Sequence, residues 1–276
     1  MNNLVIICAI LLLVLLFLKV PVYIAVLSAS AVYFIGTPGM NLSIFAQKTI
    51  SGAEGLSLLA IPFFVCAGIF MNYTGVTKRI MNCCEVLTAR MPGGLAQVNI
   101  LLSTLMGGLS GSSLADAAMQ CKMLVPTMES KGYSKSFSTV ITAASGMVVP
   151  LIPPGVGLII YGCINNISIG KLFIAGIGPG IVLCVTLMIF THFLSKKRGY
   201  LPSRTTKIPV SEKIAAVRPA FLPLLLPIII IGGVRIGVFT ASEAGTVAIV
   251  YAVLLGLLYK ELTLKNVMQG CKETVT

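Results

Sequence analysis

The chain has 276 residues, 57% of them hydrophobic and 10% charged, with 20 Lys and Arg against 8 Asp and Glu and a net charge of +12. Soluble domains carry about 25% charged residues, so this composition, with a mean hydropathy of +0.99, excludes a soluble globular protein and reads as an integral membrane protein. The basic surplus falls in the connections between apolar runs, which makes it a topology signal and sets nucleic acid aside as a partner.

Leu4–Leu18 and Val20–Ile35 are apolar runs close to the length that crosses about 30 Å of hydrocarbon. The first lacks a basic flank and a small-residue cleavage site, so it reads as a retained helix rather than a signal peptide. Ile61–Tyr73, with the preceding Leu56–Ala60, is the next span. Thr77–Arg90 carries Lys78, Arg79, Glu85 and Arg90 among apolar residues and predicts an amphipathic helix at the inner interface.

Gln97–Leu109 and Leu114–Met128 flank the cluster Ser110-Gly111-Ser112-Ser113. Each flank is helix-like but gives only about 20 Å at 1.5 Å per residue, too short to span alone. The stretch therefore predicts a re-entrant helical hairpin with its tip near the membrane middle, where irregular backbone persists only inside protein or beside a cavity. Gly111 permits a left-handed turn, and serine hydroxyls with freed carbonyls are hard oxygen ligands for a small cation. Ser113-Leu114-Ala115-Asp116 fits a capping-box variant, so Asp116 has two readings: a cap at a positive helix end, and a costly intramembrane carboxylate with a functional role.

Ser138–Val149 is apolar with polar interruptions at Thr139, Thr142 and Ser145, and leads into "SGMVVPLIPPGVGLIIYG", residues 145–162. Pro150, Pro153 and Pro154 cannot continue a helix without losing backbone bonds, and Gly146, Gly155 and Gly157 loosen it further. The run resumes toward Tyr161, which makes a broken helix directly after a hairpin. Two unwound segments meeting at one depth point to a secondary-transporter binding site; a plain proline kink is the alternative.

Leu172–Leu194, Phe221–Gly233 and Ala244–Tyr259 complete about six transmembrane helices. Lys196, Lys197, Arg198, Arg204, Lys207, Lys213 and Arg218, opposed by Glu212, mark the connection between the first two as cytoplasmic, which puts the N-terminus outside. Gly176/Gly180 and Gly233/Gly237 predict close helix packing. Thr240-Ala241-Ser242-Glu243 reads as a capping box. The eight cysteines show neither metal nor disulfide spacing and read as small buried hydrophobes.

"IPFFVCAGIFM" (61–71), "MPGGLAQVNILLSTLMGGLSGSSLADAAM" (91–119), "IPPGVGLIIYG" (152–162), "SIGKLFIAGIGPG" (168–180) and "GVFTASEAGTVAIVYA" (237–252) together resemble the large membrane subunit of tripartite ATP-independent periplasmic (TRAP) transporters, the M-type, DctM-like permease. The likeness runs over essentially the whole chain. It implies an all-α polytopic membrane protein, the first part of an inverted-repeat elevator-type transporter. Residues 1–276 are then one permease domain: scaffold and arm helices over 1–96, a transport element of hairpin and broken helix over 97–163, and scaffold helices with the start of a second repeat over 164–276.

The resemblance also implies a non-enzymatic function, sodium-coupled import of an organic acid, a carboxylate, across the bacterial inner membrane with the N-terminus periplasmic. It implies a small membrane subunit, a periplasmic substrate-binding protein and membrane lipid as partners, sodium as the only metal and no organic cofactor. Carried over residue by residue, sodium binding points to Ser110, Gly111, Ser112, Ser113, Gly146, Pro150, Pro153, Pro154 and Gly155, with Asp116 and Ser145 near the substrate or capping a helix. Gly155 stands where the family often has serine, leaving only main-chain contact there. The family's subunit is longer and contains a second inverted repeat; the 276 residues end at Thr276, where its hairpin is expected to begin. They are expected to supply one half-site and not to transport alone. Two rival readings come from other classes. Gly108-Leu109-Ser110-Gly111 fits the nucleophile pattern of rhomboid-like proteases, with His192 as the one histidine for a base, and a passive channel would need a pore lined by charges or carbonyls.

Overall fold

The computed structural model describes every residue except Met1, Thr205, Lys207 and Thr276, so Lys207 of the basic connection and the terminal Thr276 lie outside the described residues. Among the described residues thirteen α-helices follow in order: α1 (Asn2–Phe17), α2 (Val22–Gly36), α3 (Leu42–Ala53), α4 (Ala60–Tyr73), α5 (Val76–Thr88), α6 (Gly94–Ser110), α7 (Ser113–Ser130), α8 (Lys135–Gly146), α9 (Val156–Asn165), α10 (Ile169–Lys197), α11 (Val210–Arg235), α12 (Ala241–Leu258) and α13 (Leu264–Val275). By packing, the chain divides into two compact units, Met1–Gly55 and Leu56–Thr276. In the first unit α1 packs on α2 and α2 on α3, and their outer faces leave large apolar side chains such as Ile6 and Tyr23 more than half exposed, as a lipid-facing surface requires.

Among the described residues three helices, α10, α11 and α12, are individually long and apolar enough to cross a membrane, and up to five spans result if each of two bent pairs counts as one. The expected six included α1 and α2, which have 16 and 15 residues. One bent pair is α4 and α5, turned by 71° at Gly75, whose φ of +66° stops α4 and redirects the chain. The helix expected at the interface is α5, but its apolar face is not laid on lipid. Val76, Ile80, Cys83 and Cys84 are buried in a core shared with α4, α6, α11 and α12.

Proline shapes α11. It carries Pro219, Pro223 and Pro227, and Pro223 has no N–H for the carbonyl of Pro219 four residues earlier. The Tyr259 hydroxyl donates to that carbonyl at 3.0 Å, a tertiary repair of the kind a bilayer demands. The capping box at Thr240 and Glu243 forms as expected. Gly176 and Gly180 admit the broken helix: a Cβ on either would lie 2.5 Å from Leu151 O or Ile152 Cδ1. Gly237 corrects the second glycine pair, because it lies beyond α11 with φ +76° and a Cβ added there would meet nothing within 4 Å. Of the cysteines, Cys83, Cys84 and Cys184 are buried whereas Cys271 is exposed.

Candidate functional site

The hairpin forms from α6 and α7, 17 and 18 residues long. At 1.5 Å per residue these reach about 25–27 Å, longer than the sequence suggested because helix continues through Ser110 and restarts at Ser113. Only Gly111 and Ser112 interrupt it. Gly111 has φ +61° and donates its N–H to Gly107 O at 3.1 Å, a left-handed helix end that glycine adopts without strain. Ser112, not Ser113, is the N-cap of α7, and its hydroxyl accepts from Ala115 N at 3.4 Å.

The second bent pair is the broken helix. The run from α8 through a 3₁₀ turn at Val149–Leu151 meets α9 at an angle of 41°, with the prolines at the break, and the Pro153–Pro154 bond is cis. Hairpin tip and break are in direct contact. Val156 N donates to Gly111 O at 3.3 Å. Glycines allow the approach: a Cβ on Gly107 would lie 3.0 Å from Val149 Cα, one on Gly108 3.3 Å from Pro153 O, and one on Gly111 2.5 Å from Pro154 O. Gly155 folds against Pro150 O. Gly146 faces the start of α7, with Ser113 O 3.6 Å from where its Cβ would be. The structure thus brings Gly111 and the main chain of Ser113 to the sequence-predicted break, whereas the main chain of Ser110 lies against Gly68 of α4.

A polar network runs behind the tip. Asn99 and Ser103 on α6, Asp116 and Gln120 on α7, and Thr142 and Ser145 on α8 are each at most 2% exposed. Gln120 Nε2 donates to Ser103 Oγ at 2.6 Å and to Asp116 Oδ2 at 2.7 Å. Ser103 Oγ donates to Asp116 Oδ2 at 2.8 Å and lies 3.0 Å from Ser145 Oγ. Ser145 Oγ donates to Asn99 Oδ1 at 2.7 Å, and Asn99 Nδ2 to Thr142 Oγ1 at 2.7 Å. Asp116 is therefore not the helix cap; its carboxylate turns away from the first amides of α7 toward Ser103 on α6 and Gln120 on its own helix. Ser145 belongs to the same network. Asn99, Ser103 and Gln120 escaped the sequence reading, although Asn99/Ser103 and Asp116/Gln120 are each four apart and so share a helix face.

Three oxygens here have no protein partner: Asp116 Oδ1, Gln120 Oε1 and Ser110 Oγ. Burying a carboxylate without a compensating charge is costly, and no Lys or Arg takes part in the bonds of this network. Unpartnered oxygen acceptors in this network, with no Lys or Arg bonded to them, suit a small hard cation. They do not suit a serine nucleophile. Ser110 Oγ has no hydrogen-bonded base, and His192 lies in a groove with Met91, Gln97, Met188 and Phe193.

Residues 9–276 match the family model for the DctM component of the tripartite ATP-independent periplasmic transporters. The chain belongs to this family. It is 41% identical over 262 residues to the sialic acid TRAP transporter large permease protein SiaM of Vibrio cholerae, covering 95% of this chain and 61% of that protein. Over 260 residues it is 39% identical to the 2,3-diketo-L-gulonate TRAP transporter large permease protein YiaN of Escherichia coli, covering 93% and 61% of the two chains. Identity to the ectoine TRAP transporter large permease protein TeaC of Halomonas elongata is 36% over 263 residues, covering 94% and 61%. The chain thus spans about three fifths of these DctM-family relatives. They are transporter permeases rather than enzymes, which agrees with the lack of a base at Ser110.

Proposed function

We propose that this chain carries one sodium site of a TRAP large permease, and that the complete transporter imports an organic acid across the bacterial inner membrane on a sodium gradient. The observation that carries this reading is the meeting of the hairpin tip with the broken helix, where Val156 N bonds to Gly111 O. Unwound backbone offers carbonyl oxygens there, and Ser110 Oγ, on the residue before Gly111, is buried and unpartnered. Ser110, Ser112, Ser113 and the main chain around Gly146–Pro150 and Pro153–Gly155 are the sodium ligands in this reading. Asp116 adds negative field from behind. The N-terminal end of α7 then favours a substrate carboxylate at the tip. The named substrates of the three relatives, sialic acid, 2,3-diketo-L-gulonate and ectoine, all carry a carboxylate.

In operation, α6 to α9 move as a rigid element in an elevator step, carrying ion and substrate together. A periplasmic binding protein delivers the substrate and a small membrane subunit braces the scaffold. The excess of Lys and Arg in the connections supports a periplasmic N-terminus. The test is sodium-dependent uptake by the complete transporter in proteoliposomes, with Ser112→Ala and Ser113→Ala introduced together. Loss of hydroxyl ligands worth about 1–1.5 kcal/mol raises the sodium concentration for half-maximal uptake roughly tenfold. An unchanged sodium dependence removes both serines from the site.

A further inference from the structure

Away from the hairpin tip, the connection after α10 folds against the base of the hairpin. Tyr200 O accepts from Gly93 N at 3.2 Å, Ala89 O accepts from Arg204 N at 2.9 Å, and the Tyr200 hydroxyl accepts from Ser134 N at 3.1 Å. Tyr200 stacks on Tyr133 with ring centroids 4.4 Å apart. These contacts wall a cavity of ≈410 Å³ lined by Lys131, Tyr133, Arg198, Tyr200 and Ser203, among others. Arg204 is spent on Glu212. Lys131 and Arg198 are paired with no carboxylate among the described residues, and the N–H groups of Leu201 and Ser203 find no protein acceptor there. Ser134 and, to a smaller extent, Arg198 hold the Tyr200 phenol below the ordinary tyrosine range. The cavity is therefore rich in donors and cations, the inverse of the hairpin tip, and it suits an anion.

A second feature lies along the last turns of α10. Met91, Met188, Ile189 and Phe193 line an apolar groove of ≈330 Å³, and Phe193 is 67% exposed. Arg198 follows Phe193 by five positions, about 7.5 Å of rise along the helix axis. Met188 and Tyr200 pack against one cluster that includes Leu95, Ala96, Tyr133 and Phe137, so groove and cavity flank the same core. Basic pockets between helices at a membrane face take anionic headgroups.

We infer that groove and cavity form one site for an anionic phospholipid, its phosphate held by Lys131, Arg198 and the free N–H groups, one acyl chain lying along Phe193 and Met188. The site is separate from the sodium ligands and tethers the hairpin base to the end of α10.

The test is native mass spectrometry of the full 276-residue chain released from detergent. The probes are phosphatidylglycerol, phosphatidylcholine with the same acyl chains, and inorganic phosphate. Each basic residue near an anionic headgroup contributes roughly fivefold in affinity, so with two of them phosphatidylglycerol is expected to bind about 25-fold more tightly than phosphatidylcholine. The double variant Lys131→Gln, Arg198→Gln is expected to erase that difference while still binding both lipids weakly. Equal binding of the two lipids by the unmodified chain overturns the proposal without recourse to any variant, and so does a folded double variant that keeps the preference. Displacement of phosphatidylglycerol by millimolar inorganic phosphate assigns the pocket to a soluble anion and overturns the lipid.

Discussion

Replacing Gly111 by alanine tests the contact on which the proposed ion site depends. Its φ of +61° costs a non-glycine residue roughly 1–2 kcal/mol. The new Cβ would also lie 2.5 Å from Pro154 O and 3.3 Å from Val156 N, both main-chain atoms that cannot swing aside. Crowding of this kind adds roughly 1–3 kcal/mol, so the variant is expected to lose about 3 kcal/mol. Gly237 supplies the control: its φ is +76° but nothing lies within 4 Å of the Cβ it would acquire, so Gly237→Ala is expected to lose only the backbone part. Denaturant unfolding of the chain in detergent, followed by circular dichroism, measures both. Sodium titration of uptake by the complete transporter then shows where the crowding is felt. For Gly111→Ala the sodium requirement is expected to rise at least tenfold, because tip and break are forced apart, and for Gly237→Ala to stay unchanged. If Gly111→Ala is no less stable than Gly237→Ala, or leaves sodium dependence intact, the close approach of tip and break is not what builds the site.

Asp116→Ala leaves the Ser103 hydroxyl and the Gln120 amide without their acceptor and is expected to destabilise the chain by about 2–4 kcal/mol, each orphaned donor costing roughly 1–2; Asp116→Asn keeps an acceptor and should cost less than half as much in the same unfolding assay. Gly176→Ala drives a Cβ to 2.5 Å from Leu151 O, whereas Gly178 two residues on has open space. The first is expected to lose about 1–3 kcal/mol and the second to gain roughly 0.5–1 kcal/mol from helix propensity, a difference of sign visible in thermal melts. His192→Ala, far from any serine base role, is expected to leave uptake by the complete transporter within about twofold of normal; abolished uptake would contradict the assignment of His192 to the apolar groove.

The hairpin and the broken helix were legible because their residues leave the chain few options. Three prolines in residues 150–154 deny helix, and Ser110–Ser113 interrupts two runs each too short to span. Capping was less legible. Ser112 and Ser113 both fit an N-cap pattern, and Asp116 fits the box three residues after Ser113, yet tertiary partners on α6 outcompete the local amides for its carboxylate. The network was the hardest part to foresee. Asn99, Ser103 and Gln120 are single polar residues in apolar helices, and only the packing of α6, α7 and α8 brings them within bonding distance. For α5 the amphipathic pattern was read correctly, but a pattern does not tell whether the apolar face meets lipid or protein. Helices α3 and α13 were not anticipated, since neither is apolar enough to stand out as a span.

The most direct test of a sodium site at the tip is hydrogen exchange on the chain itself, titrated with sodium and, at matched ionic strength, with choline. Sodium that bridges the tip and the break slows exchange at Gly111–Ala115 and at 146–156 together, in proportion to occupancy, with no effect of choline. Equal protection in the two salts, or sodium protection at only one of the two segments, would contradict a shared site.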